Sequence, residues 1–197
     1  MDAMTNLVVQ IDGALVGPSL THWNPRLERW PAGSCAYAEP GCDRSGKNPE
    51  YARSQWSILH FVGARNLTLK GSGTGAVTAP GKTFWRVRNK RPEVRGYCLL
   101  KLEQSDHVRV ERLTFVDSPM YHIVVVGSQN VALDGVSVLV HDRTVGEHGP
   151  HNTDGVSIIA SQNVSVLDSH IESGDDNLVI KEGSSDIYAA GLSLFRE

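Results

Sequence analysis

Three aspartates stand in two short polar segments, within a half of the chain that is otherwise rich in Val, Ile and Leu. Asp154 belongs to residues 151–155 (HNTDG), whereas Asp175 and Asp176 belong to residues 173–177 (SGDDN). Carboxylates that are brought together raise one another's pKa, so that one group keeps its proton beside ionised neighbours. Glycoside hydrolysis requires this mixed state, because an acid must protonate the leaving oxygen while a base activates water. Two alternatives to a hydrolytic site are open. The aspartates could be solvated corner residues, or they could bind calcium, which also favours clustered carboxylates.

A repeated polar corner indicates which elements would carry these aspartates. Five related segments each place a polar residue near the start of an alternating strand, at steps of 41, 23, 33 and 23 residues. The corner residues are Asn66, His107, Asn130, Asn163 and Asp186. A unit of roughly 20 to 23 residues, sometimes doubled or carrying a loop, accounts for every step. Each unit contains short stretches of period-2 alternation separated by polar residues, as expected for strands.

Three short strands in each unit, stacked unit upon unit, are typical of a parallel β-helix. An antiparallel sandwich is the alternative, but it would not repeat the same polar corner at a fixed period. Asn and Asp tolerate left-handed φ at such corners and can stack into an amide ladder. Neighbouring coils lie about 4.8 Å apart. The 21-residue step from Asp154 to Asp175 therefore predicts two carboxylates side by side, and a turn at Gly174 would bring Asp176 into the same groove.

The first part of the chain is less regular, although the whole of residues 1–197 is predicted to form a single domain. Residues 18–56 are rich in Pro, Gly and charge, which predicts a long loop that leaves the solenoid wall. Aromatic side chains in this loop would either line a sugar groove or, as we favour, pin the loop onto the barrel; they are Trp23, Trp30 and Tyr37. No stretch of 12 residues carries a clear helical stripe.

Composition excludes several classes of function. A net charge of −3 argues against nucleic-acid binding, which usually requires a basic patch. The sequence has no run of about 18 apolar residues, so no transmembrane helix is predicted. Residues 1–10 lack a basic start and a long apolar stretch, so no signal peptide is predicted in this chain. Cys35 and Cys42 would pair in an oxidising compartment, and separate thiols are the alternative. The oligomeric state stays open.

Four segments together resemble glycoside hydrolase family 28, the polygalacturonases and their relatives. Residues 152–155 (NTDG) match the family's N-T-D-G motif, and residues 174–176 (GDD) match its G-D-D motif one coil later. Residues 118–122 (SPMYH) resemble its S-P-x-x-H segment, and residues 71–75 (GSGTG), followed by Phe84 and Trp85, resemble its early G-x-G-T turn. The resemblance implies an all-β, right-handed parallel β-helix of the pectin-lyase-like solenoid type.

The same resemblance implies the roles of the site residues. Asp175 would be the general acid, and Asp154 and Asp176 would hold and activate the attacking water in an inverting hydrolysis. Asn152 would bind substrate or orient Asp154. The substrate would be pectin, an α-1,4-linked galacturonan or a related acidic polysaccharide, in the extracellular space or cell wall. No cofactor and no metal are implied, and neither nucleic acid nor membrane is an expected partner.

Departures from the family pattern leave alternatives open. Asn177 stands where the family usually has Cys, which removes a thiol but no carboxylate. The family's G-H-G and R-I-K motifs are missing, and His148 does not replace the former because it precedes the aspartates. The repeat breaks after Tyr188, so we expect a solenoid that is incomplete at its C-terminal end. A catalytically impaired fragment or a carbohydrate-binding β-helix is therefore the main alternative. A calcium-dependent pectate lyase would need a basic residue on the groove, for which Lys181 is the only nearby residue downstream of the aspartates.

Overall fold

The computed structural model describes residues 4–23, 56–90, 96–142 and 149–195. In these ranges the chain forms three parallel sheets and one helix. Sheet 1 contains, in spatial order, β1 (Thr5–Ile11), β4 (Arg65–Gly71), β7 (Asp106–Glu111), β10 (Gln129–Asp134), β13 (Gln162–Leu167) and β16 (Ser185–Ala190). Sheet 2 contains β2 (Ala14–Val16), β5 (Ala76–Thr78), β8 (Thr114–Val116), β11 (Ser137–Leu139), β14 (His170–Glu172) and β17 (Ser193–Phe195). Sheet 3 contains β3 (Ser57–Val62), β6 (Cys98–Glu103), β9 (Ile123–Val126), β12 (Val156–Ile159) and β15 (Leu178–Ile180).

Each coil passes through sheet 3, then sheet 1, then sheet 2, before the chain returns to sheet 3 one layer further on. Every strand pairs in parallel with its equivalent in the next coil; Val131 of β10, for example, lies between Val108 of β7 and Val164 of β13. Crossovers between parallel strands of one sheet are almost always right-handed. The predicted right-handed parallel β-helix is therefore confirmed.

The core consists of inward-facing aliphatic side chains that stack on their equivalents in neighbouring coils. In sheet 1 the residues at two alternating positions are almost fully buried, such as Val108, Val131 and Val164 at the first position and Leu133 at the second. Full burial of such a side chain contributes about 1.5–3 kcal/mol. Each coil is thus stabilised mainly by the coils on either side of it.

The corner between sheets 3 and 1 has the conformation that the polar repeat predicted. Asn66, Asn130, Asn163 and Asp186 have φ values of 55°, 53°, 51° and 56°, in the left-handed region that Asn and Asp tolerate. Asn163 Nδ2 donates to Asn130 Oδ1 over 2.7 Å, and Asn130 Nδ2 donates to Asp106 Oδ1 over 2.8 Å. The amide ladder expected at this corner therefore joins Asn163 to Asn130, and it ends on the carboxylate of Asp106, beside the corner residue His107.

Helix α1 (Gly81–Lys90) between β5 and β6 was not expected from the sequence. Its buried face consists of Phe84, Trp85 and Arg88, and Trp85 Nε1 donates to the carbonyl of Ser118 over 3.1 Å. The sequence did not predict this helix because one of its three buried positions, Arg88, is charged. The apolar residues alone are too few to show a helical period.

Loop length varies at one corner of the triangle far more than at the other two. Connections from sheet 3 to sheet 1 and from sheet 1 to sheet 2 have two to four residues. Connections from sheet 2 to sheet 3 have between 5 and 40 residues, and they include α1. Trp23, from the longest of them, packs against Tyr97 with ring centroids 4.7 Å apart and against Trp56 at 6.3 Å. This aromatic residue pins the loop to the barrel, as favoured above.

Several sequence-based expectations fall outside the described residues, namely those on Trp30, Cys35, Tyr37, Cys42 and His148. Cys98 is a buried reduced thiol. Within the described ranges, no helix has the length and apolarity that crossing a membrane requires.

Candidate active site

The three aspartates lie at the variable corner, immediately before two adjacent strands of sheet 3. Asp154 precedes β12, and Asp175 and Asp176 precede β15. The coil step here is 22 residues rather than 21, because Val156 pairs with Leu178. The residue directly beside Asp154 is consequently Asp176, and Asp175 lies one position earlier on the turn.

Asp154 is the buried member of the group. Its side chain is 6% exposed, and its Oδ2 accepts a 3.4 Å hydrogen bond from the hydroxyl of Ser157. Burial is the main effect that raises the pKa of Asp154 from 3.8 to about 7. The negative charges of Asp175 and, more weakly, Asp176 raise this pKa further, whereas the positive charge of Lys181 lowers it. At neutral pH this carboxyl is therefore balanced between its acid and its base form, which is the condition that favours proton transfer.

Asp175 and Asp176 are more accessible than Asp154 and have different surroundings. Asp175 is partly exposed, and its Oδ2 accepts a 2.7 Å hydrogen bond from the backbone N–H of Asn152. Asp176 is exposed to solvent. Asn152 has a φ of 55°, and its N–H points towards Asp175 of the neighbouring coil. Asn152 thus contacts Asp175 through its backbone.

Asn177 stabilises the turn that presents Asp175. Its Oδ1 accepts hydrogen bonds from the backbone N–H of Ser173 over 3.1 Å and from the Ser173 hydroxyl over 2.9 Å, and its Nδ2 donates to the carbonyl of Phe195 over 3.1 Å. The Ser173 hydroxyl also lies 2.9 Å from the carbonyl of Asp175. The amide at position 177 therefore holds the aspartate turn by hydrogen bonds.

Gly174 lies in the turn that was expected, and the space around it explains why the residue is glycine. Its φ is not in the left-handed region, but a Cβ at this position would collide with Pro150 and Thr153 of the preceding coil. The turn at 173–177 and the turn at 150–154 are in backbone contact as a result. This contact lets two carboxylate-bearing turns share one edge.

His122 supports Asp154 from the other side. The histidine is fully buried, and its Nε2 accepts a 3.3 Å hydrogen bond from the N–H of Ser118. The proton is therefore on Nδ1, which donates to the carbonyl of Asp154 over 3.1 Å. Burial lowers the pKa of His122 to about 4, so the ring stays neutral and holds the Asp154 backbone through this hydrogen bond.

Sequence reasoning included His122 only through a motif resemblance and gave it no role. A histidine directly before the apolar run 123–126 has little access to solvent, and that position was the available signal for a structural hydrogen bond.

Lys181 supplies positive charge close to the acidic group. Its Nζ lies 5.8 Å from the ring centroid of Tyr121, within reach of a cation–π contact. Its charge acts on Asp154 through space and favours the ionised carboxylate. Across the described ranges, no group of three or more His, Cys, Asp or Glu side chains is arranged to hold a metal ion.

The fold places the chain among the parallel β-helix proteins, with three aspartates on the outer rim of successive coils. Comparison with known proteins gives the family. The family model described as Glycosyl hydrolases family 28 matches residues 45–195. The chain belongs to glycosyl hydrolases family 28.

Individual relatives are similar over most of this chain. A probable polygalacturonase of Arabidopsis thaliana is 27% identical over 188 residues, which cover 95% of the chain and 32% of the relative. Exopolygalacturonase A of Aspergillus niger is 26% identical over 143 residues, which cover 73% of the chain and 33% of the relative. A polygalacturonase of Prunus persica is 30% identical over 142 residues, with coverage of 71% and 33%. The chain thus spans about a third of the length of these curated relatives.

Solved structures share the fold at low sequence identity. The polygalacturonase from Erwinia carotovora ssp. carotovora matches with a TM-score of 0.68 and 18% identity, covering 97% of this chain and 50% of that one. The endo-xylogalacturonan hydrolase from Aspergillus tubingensis matches with a TM-score of 0.64 and 16% identity, covering 97% and 52%. Both likenesses support the right-handed parallel β-helix.

Proposed function

We propose that the protein is a polygalacturonase-type hydrolase that cleaves α-1,4-galacturonosyl linkages of pectin with inversion at the anomeric carbon. The observation that carries the proposal is the carboxylate group at the rim of two adjacent coils, whose buried member has its pKa raised to about 7. Family membership supports the reaction class, and the names of the relatives support the substrate class.

The proposed reaction uses one acid and one activated water. The water oxygen bonds to the anomeric carbon while the bond from that carbon to the leaving oxygen breaks. Asp175, at the accessible turn, gives its proton to the leaving oxygen, and Asp154 and Asp176 hold the water and take its proton. Below about pH 7 burial keeps Asp154 protonated, so Asp176 is then the group that we expect to take the proton while Asp154 binds the water.

A polyanionic substrate needs local positive charge, because the chain as a whole is negative. Lys181 is close enough to the carboxylates to influence Asp154, and we propose that it also attracts a galacturonate carboxylate. Asn152 would bind the sugar through its side chain, since its backbone N–H is taken by Asp175. An extracellular or cell-wall location follows from the proposed substrate.

The proposal is tested by the products formed from polygalacturonate. Hydrolysis releases reducing ends without ultraviolet absorption, whereas a lyase gives an unsaturated product that absorbs. Proton NMR during early turnover should show the β-anomer of the new reducing end first. Binding of oligogalacturonides without either product would support the carbohydrate-binding alternative and contradict the proposed activity.

Asp175→Asn is the decisive variant, because it removes the proton donor and keeps the shape of the side chain. We expect its kcat to fall by about 10²–10⁴-fold, the usual contribution of a general acid. Asp186→Asn is the matched control, since Asp186 lies at a ladder corner where Asn occurs in other coils. Near-normal turnover in Asp175→Asn would show that another group is the acid.

A further inference from the structure

Helix α1 places a buried guanidinium against two turns at the variable corner, one of which carries Asp154. Arg88 is 5% exposed, and its Nη1 donates to the carbonyl of Pro119 over 3.1 Å and lies 2.8 Å from Met120 Sδ. Its Nη2 donates to the carbonyl of His151. Burial of a guanidinium is costly without such partners. The cation is therefore tied to the two turns at the rim rather than to the core of the barrel.

The His151 carbonyl belongs to the same peptide group as the Asn152 N–H, which donates to Asp175 Oδ2 over 2.7 Å. A trans peptide is planar, with its C=O and N–H pointing in opposite directions. When Arg88 fixes the oxygen, it consequently also fixes the direction of the hydrogen.

The conformation of Asn152 is compatible with both bonds. Its φ of 55° lies in the left-handed region, which Asn tolerates. The bond from Arg88 and the bond to Asp175 hold this peptide from opposite sides.

Besides the chain of hydrogen bonds through Arg88 (the Arg88 branch), a second branch of hydrogen bonds leads from α1 to Asp154. Trp85 Nε1 donates to the carbonyl of Ser118, and the N–H of Ser118 donates to His122, whose Nδ1 donates to the carbonyl of Asp154. The helix is therefore connected to both turns. Only the Arg88 branch ends on a carboxylate oxygen.

We propose that Arg88 is a positioning residue for the reaction, which orients the Asp175 carboxyl group through the 151–152 peptide. The catalytic part of this inference, the effect of Arg88 on turnover, rests on the proposed hydrolytic function. The geometric part, the effect of Arg88 on the direction of the Asn152 N–H, does not. Arg88 touches no substrate. It acts by fixing the N–H that fixes one oxygen of Asp175.

The geometric part is tested by NMR on the 197-residue chain with Arg88→Met and Arg88→Lys. The reporter is the Asn152 amide, and the reference is the Val156 amide, which donates to the carbonyl of Asn177 inside the coil stack. We expect the Asn152 proton to shift upfield and to exchange about tenfold faster in Arg88→Met, with Val156 unchanged. Arg88→Lys should recover part of the protection, because an ammonium reaches one carbonyl at a time. Arg86→Met is the matched control, since Arg86 is an exposed residue of the same helix.

The catalytic part is tested by steady-state kinetics on polygalacturonate. A carboxylate misplaced by about 1 Å costs about 100-fold in rate, so we expect kcat to fall by about that factor in Arg88→Met while KM changes less than about threefold. Arg88→Lys should lie between this variant and the unaltered chain, and Arg86→Met should match the latter.

Failure of this proposal is separable from failure of the proposed function. An unaltered chain without turnover would contradict the hydrolase proposal, yet the Asn152 amide would still decide the role of Arg88. An unchanged Asn152 amide in Arg88→Met would overturn the positioning role. Equal loss of protection at Asn152 and Val156 in both Arg88 variants would also overturn it, because Arg88 would then stabilise the fold as a whole.

Discussion

The raised pKa of Asp154 makes a stability prediction that does not depend on turnover. In the folded protein this pKa is about 7, whereas the ordinary value is 3.8. Between these two values the folded state keeps a proton that the unfolded chain has lost, so the free energy of unfolding falls as pH rises through this window. Below about pH 4 both states hold the proton and the effect disappears.

The magnitude follows from the difference between the two pKa values. About three units, at 1.36 kcal/mol each, give a destabilisation on the order of 4 kcal/mol once the pH exceeds about 7. Asp154→Asn replaces the carboxyl with an amide that never ionises. We therefore expect this variant to be more stable than the unaltered chain by up to about 4 kcal/mol at pH 8, and nearly equal to it at pH 4.

The assay is thermal or urea unfolding of both proteins at pH 4, 6 and 8. For a domain of this size, about 4 kcal/mol corresponds to a rise of roughly 8–16 °C in Tm. Asp186→Asn serves as the control, because that aspartate is exposed. A stability difference that does not change with pH, or a variant that is less stable at pH 8, would refute the argument that burial disfavours the ionised form of Asp154.

Three further predictions concern packing. Leu133→Ala should lower the free energy of unfolding by about 2–5 kcal/mol in urea titrations, because Leu133 is fully buried between coils. Gly174→Ala should cost about 1–3 kcal/mol and reduce turnover by separating the two aspartate turns, whereas Gly13→Ala, with open space around its Cβ, should do neither. The 197-residue polypeptide should self-associate in sedimentation velocity through exposed apolar side chains of the coil that contains Leu194. Leu194→Lys should therefore reduce the self-association more than Val8→Lys, which changes the outward face of sheet 1. Equal effects of the two lysine variants would contradict association through the last coil.

The coil architecture could be predicted because its signals are local and repeated. Corner residues such as Asn130 and Asn163 need a left-handed conformation, and the alternation around them follows directly from the strand period. The grouping of the three aspartates followed from the same period, although the 21-residue step misjudged which of them is the direct neighbour of Asp154. The length of each turn alters the step by a residue, and turn length is not encoded in the strand pattern.

The supporting residues could not be predicted, because their contacts are distant in sequence and involve the backbone. Arg88 meets a carbonyl 63 residues away, and nothing about position 151 marks its carbonyl as an acceptor. The requirement for Gly174 is likewise a matter of space between two coils rather than of local conformation. Such interactions become visible only once the coils are stacked.

The uneven corners have a consequence for how a solenoid of this kind can change. At two corners the connections are two to four residues long, so their length varies by no more than two residues. At the third corner a segment of 5 to 40 residues is accommodated between strands that remain in register. New segments can therefore be added beside the aspartates without disturbing the scaffold. The rim is the place where changes in length are tolerated, so recognition of the proposed polysaccharide substrate can be altered separately from folding.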